Sequence, residues 1–261
     1  MKIPKFQSNK ERINWLIKNK TDLVEMKKSA VKFGDIAITP TVENVTSKSL
    51  MTNYEDKEDV ITRSLVTNTY NWMDSHGDVH VGNTFAKTIK ERATKIFHLH
   101  DHKHMVTAKV GRTKSLKEVE VLWSDLGVDK EGSTTVLLAE SEIAKSLNEK
   151  VFDFYVNNEI DQHSVGMIYQ KLSLAVNDED YKEEYATWNS YIDKLGNKEE
   201  AEKQGYFWAV TEAKLIEYSA VLMGSNELTP TVQNNSEPFN DTPKSEPSND
   251  TQKNKSVIFV I

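Results

Sequence analysis

His163-Ser164-Val165-Gly166-Met167 sits inside a strand-like run from Gln162 to Ala175 and puts a hydroxyl and a glycine two residues apart on one strand face. Lacking a side chain, Gly166 is expected to let a substrate backbone come close to Ser164. Two distant segments have the same character: Ile96-Phe97-His98-Leu99-His100-Asp101-His102, and Leu215-Ile216-Glu217-Tyr218-Ser219-Ala220-Val221. Each places one chemically capable side chain in otherwise strand-like sequence. In chain order they supply His, Ser and Glu, a base, a nucleophile and an acid. A serine hydroxyl is a weak nucleophile until an imidazole takes its proton, and that imidazole needs a partner to fix its tautomer.

Around these segments the chain divides into three regions. Residues 8 to 32 read as helix, with Ser8 as cap and Ile13, Leu16 and Ile17 as an apolar stripe. Together with the polar stretch broken at Thr39-Pro40-Thr41, they make residues 1–58 a peripheral helical arm and linker. Residues 59–228 are expected to form the main domain. It begins with a Val-, Ile- and Thr-rich strand at Val60 to Tyr70, a turn at Asp74-Ser75-His76-Gly77-Asp78 and a short helix from Thr84 to Thr94. Strands follow at Ile96 to His100 and Val106 to Val110, and a hairpin joins Val119–Trp123 to Thr134–Ala139. Ser141 is expected to cap a helix running to Val156, and Phe207 to Leu222 to be the last strand. Tyr181, Tyr185, Trp188, Ile192 and Leu195 recur at helical spacing and read as a helix packed on the domain surface. Residues 229–261 carry almost no apolar residues until Val257 and are expected to be a disordered tail.

Composition narrows the chemistry. A net charge of −7 and the lack of any concentrated Arg/Lys run argue against nucleic acid as the main partner. Without cysteine there is no disulfide, no thiolate zinc site and no cysteine nucleophile, which fits a reducing compartment. Met1 to Lys20 does not read as a signal peptide, and no run of about 18 apolar residues suggests a membrane span. His98, His100, His102 and His104 alternate, so on a continued strand they would share a face and could build a metal site. The run is similar to the His-x-His-x-Asp-His of metallo-β-lactamases, but its Asp sits one position early. A single general base is the more economical reading, and His100, where the apolar strand opens into a loop, is the choice.

The ordered set of motifs resembles the prohead proteases of tailed bacteriophages, capsid-maturation serine proteases related in fold to herpesvirus assemblin. Leu99-His100-Asp101, Ser164-Val165-Gly166 and Glu217-Tyr218-Ser219-Ala220-Val221 match the family's three segments. Asp74 to Asp78 followed by Gly82-Asn83-Thr84-Phe85 matches its opening, and Val110-Gly111-Arg112 the stretch after the histidine. The resemblance covers about residues 60 to 228. It implies an α+β protein built on an assemblin-like antiparallel β-barrel of about seven strands surrounded by helices. It also implies a serine endopeptidase in which Ser164 attacks the scissile carbonyl, His100 is the general base and Glu217 orients His100. His163, beside the nucleophile, is a rival base, and the oxyanion-hole amides are expected near Gly111-Arg112. No cofactor or metal is implied. The implied substrates are scaffold and major capsid proteins, and the enzyme itself, within the procapsid in the host bacterial cytoplasm; a homodimer is within the fold's range. The competing readings are an inactive procapsid assembly protein and a metal-dependent hydrolase using the His cluster.

Overall fold

A computed structural model describes residues 4–29, 31, 32, 50 and 54–232. Its centre is a sheet of β1 (Val60–Thr69), β2 (Asp78–His80), β3 (Phe97–His100), β4 (Lys109–Leu122), β5 (Ser133–Ala144), β6 (His163–Val176), β7 (Tyr206–Ala220) and β8 (Thr231–Val232). Around it lie α1 (Asn9–Lys18), α2 (Lys20–Lys28), α3 (Ala86–Arg92), α4 (Glu149–Val156), α5 (Lys182–Tyr191) and α6 (Lys198–Gln204). The strand order is β2-β7-β3-β4-β5-β1-β8, and β6 pairs with β7. Because β6 occupies one edge of β7 along its whole length, β2 and β3 share the other edge, both parallel to it.

This α+β sheet differs from the expected barrel. It has eight strands rather than about seven, it is mixed rather than antiparallel, and it is open: among the described residues no ladder joins β6 to β1. The seam is bridged by the segment after β7. His163 donates its N–H to the Thr229 carbonyl at 3.1 Å, Val66 donates to the Pro230 carbonyl at 3.0 Å, and β8 pairs with β1 at Ser64 and Leu65. Thr229 is fully buried. Residues 229–232 therefore belong to the folded domain rather than to a tail, because their backbone groups supply the missing edge partners. The rest of the expected tail, 233–261, lies outside the described residues.

The N-terminal segment is also more integrated than an arm. Ser8 caps α1, its hydroxyl accepting the Glu11 N–H at 3.2 Å. Ile13, Leu16 and Leu23 are buried in the same apolar cluster as Leu65, Val110 and Leu215 of the sheet. Lys27 pairs with the buried Asp78, whose second oxygen accepts the Tyr169 hydroxyl at 2.8 Å, and the ammonium lies 5.4 Å from the Trp208 ring. The turn before β2 is held by Asp74, whose carboxylate accepts the N–H groups of His76 and Asp78, with Gly77 at φ 71°. Most of the expected linker, 33–49 and 51–53, lies outside the described residues.

Ser141 does not cap a helix. β5 runs on to Ala144, and α4 is capped by Asn148, whose side chain accepts the Val151 N–H at 3.2 Å. The 178–205 stretch is helical as its spacing predicts, with Trp188, Ile192 and Leu195 buried against β7 residues Phe207 and Ala209. No helix among the described residues is long and apolar enough to cross a membrane.

Truncating Leu23 to Ala should lower stability by about 2–5 kcal/mol, because a buried side chain is lost from a shared core. Urea denaturation checks this; unchanged stability would mean that α2 stands apart from the domain.

Candidate functional site

The register of three strands sorts the candidate residues onto two faces. Against β7, Ser164 pairs with Ser219 and Gly166 with Glu217, while His163 pairs with Ala220 and Val165 with Tyr218. On the opposite edge, Leu99 pairs with Ser219, His98 with Tyr218 and His100 with Ala220. Paired residues point the same way and neighbours along a strand point oppositely. Ser164, Gly166, Glu217 and Ser219 therefore share one face. His98, His100, His163 and Tyr218 lie on the other, where His98 stacks on Tyr218 with ring centroids 4.8 Å apart. The pleat thus puts Ser164 and Glu217 on one face and His100 on the reverse.

His102 is the imidazole that reaches Ser164's face. After β3 the chain makes a turn in which Lys103 donates its N–H to the His100 carbonyl at 3.2 Å, with Asp101 and His102 at φ 51° and 53°. Two successive left-handed residues define a type I′ turn. It ends the alternation that would have kept the four histidines on one face. Glu217 accepts from His102 Nδ1 at 2.7 Å through Oε1 and from the Ser219 hydroxyl at 2.7 Å through Oε2. The Ser219 hydroxyl in turn accepts the His102 backbone N–H at 3.2 Å. Glu217 and Ser219 are fully buried, and the His102 side chain is one-tenth exposed. The expected Glu217–His100 contact is replaced by Glu217–His102. His100 instead bonds the exposed Asp101 at 3.1 Å. Burial alone would raise the Asp101 carboxyl, but His100 and Lys103 hold it below its ordinary value.

Both glycines near the site are accounted for by side chains of the protein. A Cβ on Gly166 would lie 2.1 Å from Glu217 Oε1, so the space read as access for a substrate backbone holds the carboxylate. A Cβ on Gly111 would lie 2.5 Å from Ser141 Oγ and 3.0 Å from His98 Nδ1. Gly111 and Arg112 lie within β4, with β3 on one side and β5 on the other, so the sheet already engages the backbone expected to form an oxyanion hole. Gly224 crosses over the start of β6: a Cβ there would sit 2.9 Å from the His163 carbonyl and 3.7 Å from Ser164 Cβ.

The reverse face carries a buried chain of hydrogen bonds with one consistent direction. His163 Nδ1 lies 3.0 Å from the Thr229 carbonyl, which can only accept, so His163 is protonated there. Its Nε2 then accepts the Tyr155 hydroxyl at 2.9 Å, Tyr155 accepts from His98 Nε2 at 3.1 Å, and His98 Nδ1 accepts the Ser141 hydroxyl at 2.8 Å. Both imidazoles are neutral in this chain. Burial, reinforced by the neighbouring His163, holds His98 well below the ordinary histidine value. Burial likewise brings His163 down to about 4, opposed by the Thr229 carbonyl, and pushes the Tyr155 hydroxyl well up. Facing away from Ser164, with both ring nitrogens engaged, His163 is not placed to serve as its base.

The sequence reading therefore missed two members of the site, His102 and Ser219. The Glu-x-Ser spacing carried a usable signal for Ser219, because residues two apart share a strand face. Asp101-His102 carried a weaker one, since both types are enriched in the left-handed region. Among the described residues no three His, Asp or Glu side chains gather at metal-binding separation.

Two outcomes follow. An imidazole whose folded value lies below its unfolded value, about 6.5, adds stability that is complete above that pH and is lost as pH falls toward the folded value. Urea denaturation should therefore show a loss of about 2 kcal/mol from His163 between pH 7 and pH 5, with a further loss from His98, the total reduced in His163→Gln. Equal stability at both pH values would contradict the neutral relay. Gly166→Ala should displace the Glu217 carboxylate and cost about 1–3 kcal/mol, measurable in the same assay.

Compared with protein-family models, curated proteins and solved structures, the chain matches none of them.

Proposed function

We propose that this chain is a serine endopeptidase with Ser164 as nucleophile and His102, oriented by Glu217, as general base. One observation carries the reading: a buried carboxylate on the face of Ser164 grips an imidazole through Nδ1 at 2.7 Å. With Nδ1 carrying the proton toward Glu217, Nε2 becomes the basic nitrogen of the neutral ring. In this mechanism Nε2 takes the Ser164 proton as the hydroxyl attacks a peptide carbonyl, and Glu217 stabilises the imidazolium that forms. The proton passes to the departing amine, leaving an acyl-enzyme that water hydrolyses with His102 again acting as base. The substrate class, scaffold and coat protein of a phage procapsid together with the enzyme's own chain, is supported by the ordered motifs around Leu99-His100-Asp101, Ser164-Val165-Gly166 and Glu217 to Val221.

A second reading, an assembly protein that keeps the fold without activity, is favoured by the covering of Ser164. The residue is 5 % exposed, with Gly224 beside it, and among the described residues its hydroxyl forms no hydrogen bond to an imidazole.

Co-expression with scaffold and coat protein separates the readings and the two imidazoles. Ser164→Ala and His102→Ala should each reduce cleavage by about 10⁴-fold or more, while His100→Ala keeps most of it. Loss in His100→Ala with activity retained in His102→Ala would reverse the choice of base. No cleavage by the unmodified chain would favour the assembly protein.

A further inference from the structure

We infer that Ser219 is a positioning residue of this site, whose hydroxyl sets both the turn that delivers His102 and the carboxylate that orients it. The inference rests on reading His102 and Glu217 as the catalytic pair. Ser219 is fully buried on β7, in register with Ser164 on one side and Leu99 on the other. Its oxygen accepts the His102 backbone N–H at 3.2 Å, and its proton goes to Glu217 Oε2 at 2.7 Å. The other carboxylate oxygen holds the His102 ring at 2.7 Å. The three bonds form a closed loop in which one hydroxyl joins the backbone of residue 102 to the group that orients its side chain.

The backbone gives the loop its significance. Asp101 and His102 both occupy the left-handed region, at φ 51° and 53°, and neither is glycine. Such strain persists where the surroundings over-determine it, and it gathers at functional sites. The Asp101 N–H is held by the Ala220 carbonyl at 2.9 Å, and the Lys103 N–H by the His100 carbonyl at 3.2 Å. Between them, the His102 N–H is held by the Ser219 hydroxyl. Removing that hydroxyl deprives the strained peptide and a buried carboxylate oxygen of the same partner. The turn can then relax, and the imidazole loses the fixed proton position that its role as base requires.

The test uses the whole chain labelled with ¹⁵N-histidine, with the imidazole tautomer of His102 read by two-bond ¹H–¹⁵N NMR. In the unmodified chain His102 should be a single Nδ1–H tautomer. In Ser219→Ala it should become a tautomer mixture, and kcat/KM on a peptide substrate should fall by about 10- to 100-fold. Ser219→Thr, which keeps the hydroxyl, should restore both. Should Ser219→Ala fail to fold, Ser219→Cys, nearly isosteric with a weaker donor, carries the same NMR reading and should show the same change. A wild-type tautomer in the folded variant would overturn the inference. Labelling of Ser164 by a fluorophosphonate, scored separately on the unmodified chain, distinguishes failure of the protease reading, because the NMR result decides the role of Ser219 without any turnover.

Discussion

Glu217 has no contact with solvent, and the architecture around it follows from satisfying its two oxygens. Taking a carboxylate out of water costs several kcal/mol unless donors replace the lost hydration. The donors are the His102 ring and the Ser219 hydroxyl, and the room for the carboxylate comes from Gly166 on the neighbouring strand. One residue thus dictates a glycine on β6, a serine two positions later on β7 and a left-handed turn after β3. None of these is local to the others in sequence, so the sheet must be assembled before the constellation exists.

The two faces of the sheet solve the burial of polar groups in opposite ways. On the Ser164 face a carboxylate and an imidazole meet as a charge-assisted pair. On the reverse face two imidazoles and a tyrosine are kept neutral, each donor matched to one acceptor, from the Ser141 hydroxyl to the Thr229 carbonyl. A buried polar network is stabilising only when every member is satisfied. The fixed acceptor at Thr229 gives this one its direction, which is why the segment closing the seam is part of the core rather than an appendage.

Strand periodicity made much of this legible. The strands carrying Ser164 and Glu217, the Ser8 cap and the helical 178–205 stretch all follow from local pattern, because each depends on neighbours within a turn or a pleat. The choice of histidine did not follow. Alternation from His98 to His104 implies a shared face only while the strand continues, and it ends at His100 through a turn stabilised by a hydroxyl 117 positions away. Ser141 misled for a similar reason: its local pattern suits a helix cap, while its actual partner, His98, lies on another strand. Gly111 and Gly166 were visible as glycines, but the side chains that require them are distant in sequence. The burial of Ile13, Leu16 and Leu23 likewise depends on a surface that only the folded sheet provides.

The adjacency of His163 and Ser164 has a consequence for how this fold can vary. One residue belongs to a buried network of neutral groups and the next shares a face with the Glu217–His102 pair, with a single pleat between them. A one-residue slip of β6 against β7 would bring His163 to the side of Glu217 and drive Ser164 into the imidazole slot beneath Tyr155. Both environments would fail together, so an insertion or deletion between His163 and Gly166, ahead of the first bulge in β6, cannot be absorbed as a small local change. The first four residues of β6 thus act as a ruler whose zero is set by chemistry on both faces, while the bulges beyond Gly166 take up the register changes along the rest of the strand.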